Sequence, residues 1–172
     1  RLVLLRRIAI RLVHEDDLEA AIRAHEQLLD AADELDTRRT LVGLLERSPD
    51  RARELAHEID VLAGKVSPAE ARVLRVSRAE LLHERLSDTR AASDELWRVV
   101  QELAPEDVSV LERLATFAQE TTDLPRVAKA KRKLLDLSTD ARARTRLSQE
   151  LADLYEGELA DKEGATLALT TW

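Results

Sequence analysis

Residues 111–134 read Leu-Glu-Arg-Leu-Ala-Thr-Phe-Ala-Gln-Glu-Thr-Thr-Asp-Leu-Pro-Arg-Val-Ala-Lys-Ala-Lys-Arg-Lys-Leu. Leu111, Leu114, Ala115 and Ala118 recur at spacings of three and four, which is one face of a 3.6-residue helix. Asp123 then stands before Leu124 and Pro125. Its carboxylate can accept from the open N–H groups of a new helix. Val127 and Leu134 resume the period. The stretch is therefore a helix, a short break and a second helix. A short break between two helices makes them antiparallel neighbours.

The same punctuation runs outward in both directions. Ser48-Pro49 sets a hydroxyl before a first-turn proline, and Ser67-Pro68-Ala69-Glu70 has the spacing of a capping box. Asp88 and Asp161 are further cap candidates, and Gly64 and Pro105 are stops. Leu147, Leu151, Leu154 and Tyr155 repeat the helical period. The pattern predicts ten helices, at about 1–14, 17–34, 37–47, 49–64, 68–86, 88–103, 106–121, 124–137, 140–157 and 161–172. The segment 37–47 is short, contains Gly43 and shows a thin apolar face.

Composition agrees and excludes much else. The chain has 172 residues, 35% of them charged, with four glycines and four prolines. So few turn formers exclude an all-β chain of many tight turns. The absence of cysteine excludes disulfides, thiolate zinc sites and thiol catalysis. The longest apolar run, Leu2 to Leu5, is far short of a membrane span. The chain starts at Arg1 and contains no methionine, so we expect a piece of a longer or processed protein. Cytoplasmic location is the expectation, and the excess of arginine over lysine hints at a GC-rich bacterial source.

The helices come in pairs, and the pairs repeat. Ala21, Ala52, Ala92, Val127 and Ala165 are the first small apolar residues of successive second helices. Seven residues after each stands a bulky apolar residue: Leu28, Ile59, Val99, Leu134 and Trp172. In the first helices Ala9 goes with Leu12, Ala79 with Leu82, Ala115 with Ala118 and Ala152 with Tyr155. A small residue at such a place lets the paired helix approach closely.

On these residues the sequence resembles the tetratricopeptide-repeat family, whose helix–turn–helix units are about 34 residues long. Leu151-Ala152-Asp153-Leu154-Tyr155 with Ala165 and Leu169 is the best unit. Leu114, Ala115, Ala118, Val127 and Leu134 follow it, then Ile8-Ala9, Leu12, Ala21 and Leu28. The repeats are degenerate: one unit keeps the aromatic, the 37–64 unit is short, and repeat length drifts. The resemblance implies an all-α solenoid of about five antiparallel hairpins with a right-handed superhelix. It would form a single domain over 1–172, with units at about 1–36, 37–66, 67–104, 105–138 and 139–172. A HEAT-like or other α-solenoid stays open. The apolar Leu167, Leu169 and Trp172, and Leu2 to Leu5 at the other end, call for cover by further repeats or another chain.

The chemical inventory is thin. His14, His25, His57 and His83 each precede a glutamate, but a zinc-protease helix needs a second histidine four residues on. Those positions hold Leu18, Leu29, Val61 and Ser87. The glycines are scattered, and no Gly-x-Ser-x-Gly elbow occurs. Carboxylate pairs such as Asp16-Asp17 and Glu106-Asp107 fall at helix starts, where they favour the helix dipole. We expect no enzyme activity, no cofactor and no metal. The chain has no asparagine, so the Lys/Asn clamp with which some members of the resembled family hold a chaperone's C-terminal carboxylate cannot form.

In the resembled fold the first helices line a concave groove. Projection of the register places Glu80 and His83, then Glu112, Thr116 and Gln119, then Gln149, Asp153 and Glu156 on that strip. It holds acids and no lysine or arginine, so a basic protein segment is the expected partner. The second helices would form the back. Arg126, Lys129, Arg132 and Lys133 fall there, inside a stretch (126–146) of net charge +6 in a chain of net charge −7. That patch is the alternative docking site, for an acidic protein. It lacks the aromatics that stack bases or anchor in membranes, so neither nucleic acid nor membrane is expected. Trp97 is either an anchor on the back or a filler between repeats. The expected function is a non-catalytic protein-interaction scaffold; the alternative is a structural spacer that self-associates through the array ends or pairs with other domains of its own chain.

Overall fold

The computed structural model describes residues 2–157 and 161–170, without the side chain of Lys162. The expectations on Trp172 lie outside the described residues. Those residues form ten α-helices and no strand. They are α1 (Leu2–His14), α2 (Leu18–Ala31), α3 (Leu35–Glu46), α4 (Ala52–Ala63), α5 (Pro68–Glu84), α6 (Thr89–Glu102), α7 (Val108–Glu120), α8 (Leu124–Leu137), α9 (Ala141–Glu156) and α10 (Lys162–Thr170). A 3₁₀ turn at Pro49–Arg51 leads into α4. Among the described residues no helix is long and apolar enough to cross a membrane.

The chain divides into two compact units, Arg1–Leu86 and Ser87–Trp172. In the first, α1 packs on α2, α2 on α3, α3 on α4 and α4 on α5. Its core holds Ile22, Leu41, Leu45 and Ile59. In the second, α6 packs on α7, α7 on α8, α8 on α9 and α9 on α10, around Leu96, Leu111, Leu114, Leu135 and Leu151. Packing between chain neighbours is the mark of a repeat array.

The register that set the repeat is the register of burial. Ala21, Ala52, Ala92, Val127 and Ala165 are all buried, as are Leu28, Ile59, Val99 and Leu134. So are Ala9, Ala79, Ala115 and Ala152 in the first helices.

Aspartate caps most of the helices. Asp17, Asp88, Asp107, Asp123 and Asp140 each accept from the backbone N–H three residues on, at 2.7–3.2 Å, and Asp161 does so from Gly164 at 2.9 Å. Two serine caps differ from expectation. Ser67 Oγ accepts from Glu70 N at 3.3 Å, but the Glu70 carboxylate does not reach back to complete the box. It is held instead by Arg39 of α3, at 3.0 and 3.1 Å. Ser48 makes no side-chain cap bond; it is buried, and its carbonyl accepts from Arg85 at 2.9 Å. The apolar face of α3 is broader than its sequence suggests, with Leu41, Val42, Leu44 and Leu45 all buried.

Candidate functional site

The second unit contains a cleft of about 400 Å³ where α7, α8 and α9 converge. Its floor is apolar: Ala115 from α7, Leu134 and Leu137 from α8, Ala143 and Leu147 from α9, with the exposed Val108 of α7 at the edge. Its rim is polar, with Glu112 and Thr116 on α7 facing Lys131 of α8 and Arg146 and Glu150 of α9.

Local chemistry fixes the walls. Asp123 caps α8 and so sets where that helix starts. Arg126, one turn in, donates to Ser93 at 2.9 Å and to Asp94 at 2.7 Å, which ties α8 to α6. Arg144 donates to the carbonyls of Leu135 and Ser138, both at 3.1 Å. Those acceptors lie at the open C-terminal end of α8, where a cation is favoured. The first turn of α9 is thereby pinned to the end of α8, and the wall carrying Arg146 and Glu150 follows.

The rim charges are partly neutralised. Lys131 Nζ lies 2.8 Å from Glu150 Oε2, and Arg146 Nε lies 3.8 Å from Glu150 Oε1. Arg146 is well exposed. On the opposite wall Glu112 is exposed, and its carbonyl accepts the Thr116 hydroxyl at 3.1 Å. The cleft thus has an apolar floor between an acidic wall on α7 and a mixed, outward-basic wall on α9.

The projected acidic strip distributes as follows. Glu80 and His83 are half-buried on α5 in the first unit. Glu112, Thr116 and Gln119 are exposed on α7, and the first two line the cleft. Gln149, Asp153 and Glu156 are exposed on a neighbouring stripe of α9 and do not line it. Gln149 there donates to Asp153 at 3.0 Å. Lys131, Arg146 and Glu150 also line the cleft and lie outside the projected strip. Lys131 stands on α8 among the residues of the basic patch, yet its long side chain crosses to Glu150 of α9.

The basic patch is partly spent on its own surroundings. Arg126 is held by Asp94 and, at 3.3 Å, by Asp123. Its guanidinium carbon lies 5.9 Å from the centre of the Trp97 ring, and Lys129 Nζ lies 5.6 Å from it. Trp97 is half-buried under these two cations, so it forms part of the patch. Arg132 and Lys133 are half-buried further along α8.

His25 is buried, with Nδ1 2.8 Å from the carbonyl of Ala21. Among the described residues no three His, Asp or Glu side chains are arranged to hold a metal ion. A shallow hollow of about 550 Å³ between α1 and α2 is lined, among the described residues, by Leu2, Leu5, Gln27, Asp30 and Ala31.

No family model matches the chain, and no curated protein matches it. Solved structures do. A double mutant of MamA RS-1 superposes with a TM-score of 0.51, covering 98% of this chain and 90% of its own, at 17% identity. MamA from position 41 to its end, from Desulfovibrio magneticus RS-1, gives 0.50 over 98% and 91%, also at 17% identity. At such identity the likeness concerns the fold, and the fold it identifies is the all-α helical repeat of tetratricopeptide type.

Proposed function

We propose that this chain is a non-catalytic protein-interaction module, and that the cleft between α7, α8 and α9 takes a segment of its partner. One observation carries the reading: the apolar floor of a 400 Å³ cleft lies open between charged walls on three helices fixed to one another. A cleft of that size accommodates one or two bulky apolar side chains, and the charged rim orients the segment that carries them. Glu112 on the rim, with Asp153 and Glu156 on the next stripe, favours basic residues beside the apolar anchor. A preformed cleft suits this task because it presents its walls without ordering costs at the moment of binding.

The test is retention of a partner from source-cell lysate, followed by affinity measurement with the purified partner. Thr116→Trp fills the mouth of the cleft from an exposed position, and Glu112→Arg inverts one wall. Each is expected to weaken binding by roughly tenfold or more. Lys129→Glu/Lys133→Glu is expected to leave it intact. A partner bound equally by Thr116→Trp and the parent chain sinks the cleft reading. Loss on Asp153→Arg/Glu156→Arg alone moves the site to the neighbouring stripe of α9.

A second reading, a self-associating spacer, is favoured by the exposed apolar residues Val3, Leu4, Ile8 and Ile10 of α1.

A further inference from the structure

A smaller cleft, of about 260 Å³, opens in the first unit where α1, α2 and α3 converge. It occupies the same place in the repeat as the cleft of the second unit. Ala9, Leu28 and Thr40 line it; Ala115, Leu134 and Arg146, each 106 residues later, line the other. The same shift carries Arg6 to Glu112, Ile10 to Thr116 and His25 to Lys131, all of them lining residues. Helix α7 is packed on by α6 and is still open at Glu112 and Thr116, so the matching opening on α1 belongs to the repeat.

The floor chemistry differs between the two clefts. In the second unit Lys131 leaves α8 and bonds Glu150. In the first unit that place holds an imidazole, His25, only 6% exposed, in one floor with Ala9 and Leu28. Its Nδ1 lies 2.8 Å from the carbonyl oxygen of Ala21. A carbonyl only accepts, so Nδ1 carries the proton, and in the neutral ring Nε2 keeps a lone pair. Among the described residues nothing bonds Nε2. Nδ1 is turned to the backbone of its own helix, so the ring edge left to the cleft holds that acceptor. A buried acceptor without a protein partner rewards a ligand that brings a donor to it.

The rim selects against charge. Arg6 pairs with Glu34, and Asp36 with Arg39 at 3.2 Å, so acids and bases around the mouth are matched. Ile10, 58% exposed, adds an apolar wall. The complementary group has a bulky apolar body, a neutral donor at its tip and the size of one large side chain. A phenol meets all three conditions.

We propose that the α1/α2/α3 cleft is a second binding site, which takes a tyrosine side chain of a partner segment. The ring lies against Ala9, Leu28 and Ile10, and its hydroxyl donates to His25 Nε2. The site is separate from the charged cleft of the second unit, and either can fail its test while the other stands.

The experiment is an NMR titration of the isotope-labelled 172-residue chain. The probes are three capped pentapeptides, Ala-Ala-Tyr-Ala-Ala and its Phe-centred and Trp-centred counterparts. Nitrogen correlation of the His25 ring is expected to show Nδ1 protonated and Nε2 bare in the neutral form. The Tyr peptide is expected to move the signals of Ala9, Leu28, Thr37 and His25 Nε2, and to bind roughly fivefold more tightly than the Phe peptide. His25→Leu removes the acceptor and is expected to make the two peptides equal. Ile10→Arg, at an exposed position, is expected to weaken both, and circular dichroism checks that each variant folds. Equal binding of the Tyr and Phe peptides by the parent chain overturns the proposal. So does a protonated Nε2 in the neutral ring, a Trp peptide bound more tightly than the Tyr peptide, binding that Ile10→Arg leaves unchanged, or signal changes confined to α7, α8 and α9.

Discussion

Thr122 has a φ of 56°, in the left-handed region where a β-branched residue is strained. Asp16 and Ser87 share that conformation, at 58° and 54°. Each stands immediately before a capping aspartate: Asp17, Asp88 or Asp123. The device ends one helix and starts the next within a few residues. After the reversal the backbone N–H of Asp17 reaches the carbonyl of Leu12 at 3.1 Å, and that of Asp123 reaches Ala118 at 2.9 Å. The capping aspartates were legible in the sequence because an acid before an apolar period has a direct physical meaning. The left-handed residue was not, since Asp, Ser and Thr share no feature that announces it, and glycine, the usual signal, occupies none of the three places. Thr122→Gly removes the Cβ clash at the cost of a more flexible unfolded chain, and is expected to raise stability by roughly 0.5 to 1 kcal/mol. Urea denaturation measures it; a loss of stability would mean that the Thr122 hydroxyl, which donates to the Thr121 carbonyl at 2.7 Å, outweighs the strain.

Helix positions followed from periodicity and caps, and helix faces followed from the alanine register. The projected strip and the cleft overlap only in part. On α7 the projection put Glu112 and Thr116 where the cleft has them. On α9 it selected Gln149, Asp153 and Glu156, whereas the cleft is lined by Arg146 and Glu150, a stripe over. Arg144 at the start of α9 reaches the end of α8, a contact between chain segments that periodicity within α9 cannot contain. A similar long reach governs α3 and α4. Arg38 of α3 is buried between Asp33, at 2.8 Å, and Glu58 of α4, while Lys65 beyond α4 returns to Asp33. Hydrogen bonds from Lys65 and then Arg38 hold the Asp33 carboxyl below the usual carboxylate range. The unfolded chain therefore takes up that proton first. The stabilisation is complete above the unfolded pKa of about 3.9 and is lost as pH falls through the lower folded value. Asp33→Asn is expected to lower the melting temperature at pH 7 and to reduce the further loss on acidification from pH 5 to pH 3. Melting curves at the three pH values decide it; equal acid sensitivity in parent and variant would show that other carboxylates control the acid limb.

At the scale of the molecule, energy is stored in junctions between chain neighbours, and each of the two units has its own buried set. Leu41, Leu45 and Ile59 belong to the first, and Leu111, Leu114 and Leu135 to the second. An array of this kind behaves as a sum of local stabilities and nearest-neighbour terms, so damage is felt near its source before it is felt throughout. Leu114 has no exposed surface and sits among α7 residues buried on two sides, so Leu114→Ala opens a cavity worth roughly 2 to 5 kcal/mol. Hydrogen exchange read by mass spectrometry resolves where that loss appears. Exchange in 87–172 is expected to accelerate strongly, first in α7 and α8, while the amides of α2 and α3 keep most of their protection. The reciprocal variant, Leu41→Ala, is expected to invert the pattern. Equal acceleration across both units in either variant would mean that the chain unfolds as one cooperative body. A peptide held in the cleft of the second unit would then be stabilising the whole molecule, where the local picture confines that effect to α7, α8 and α9.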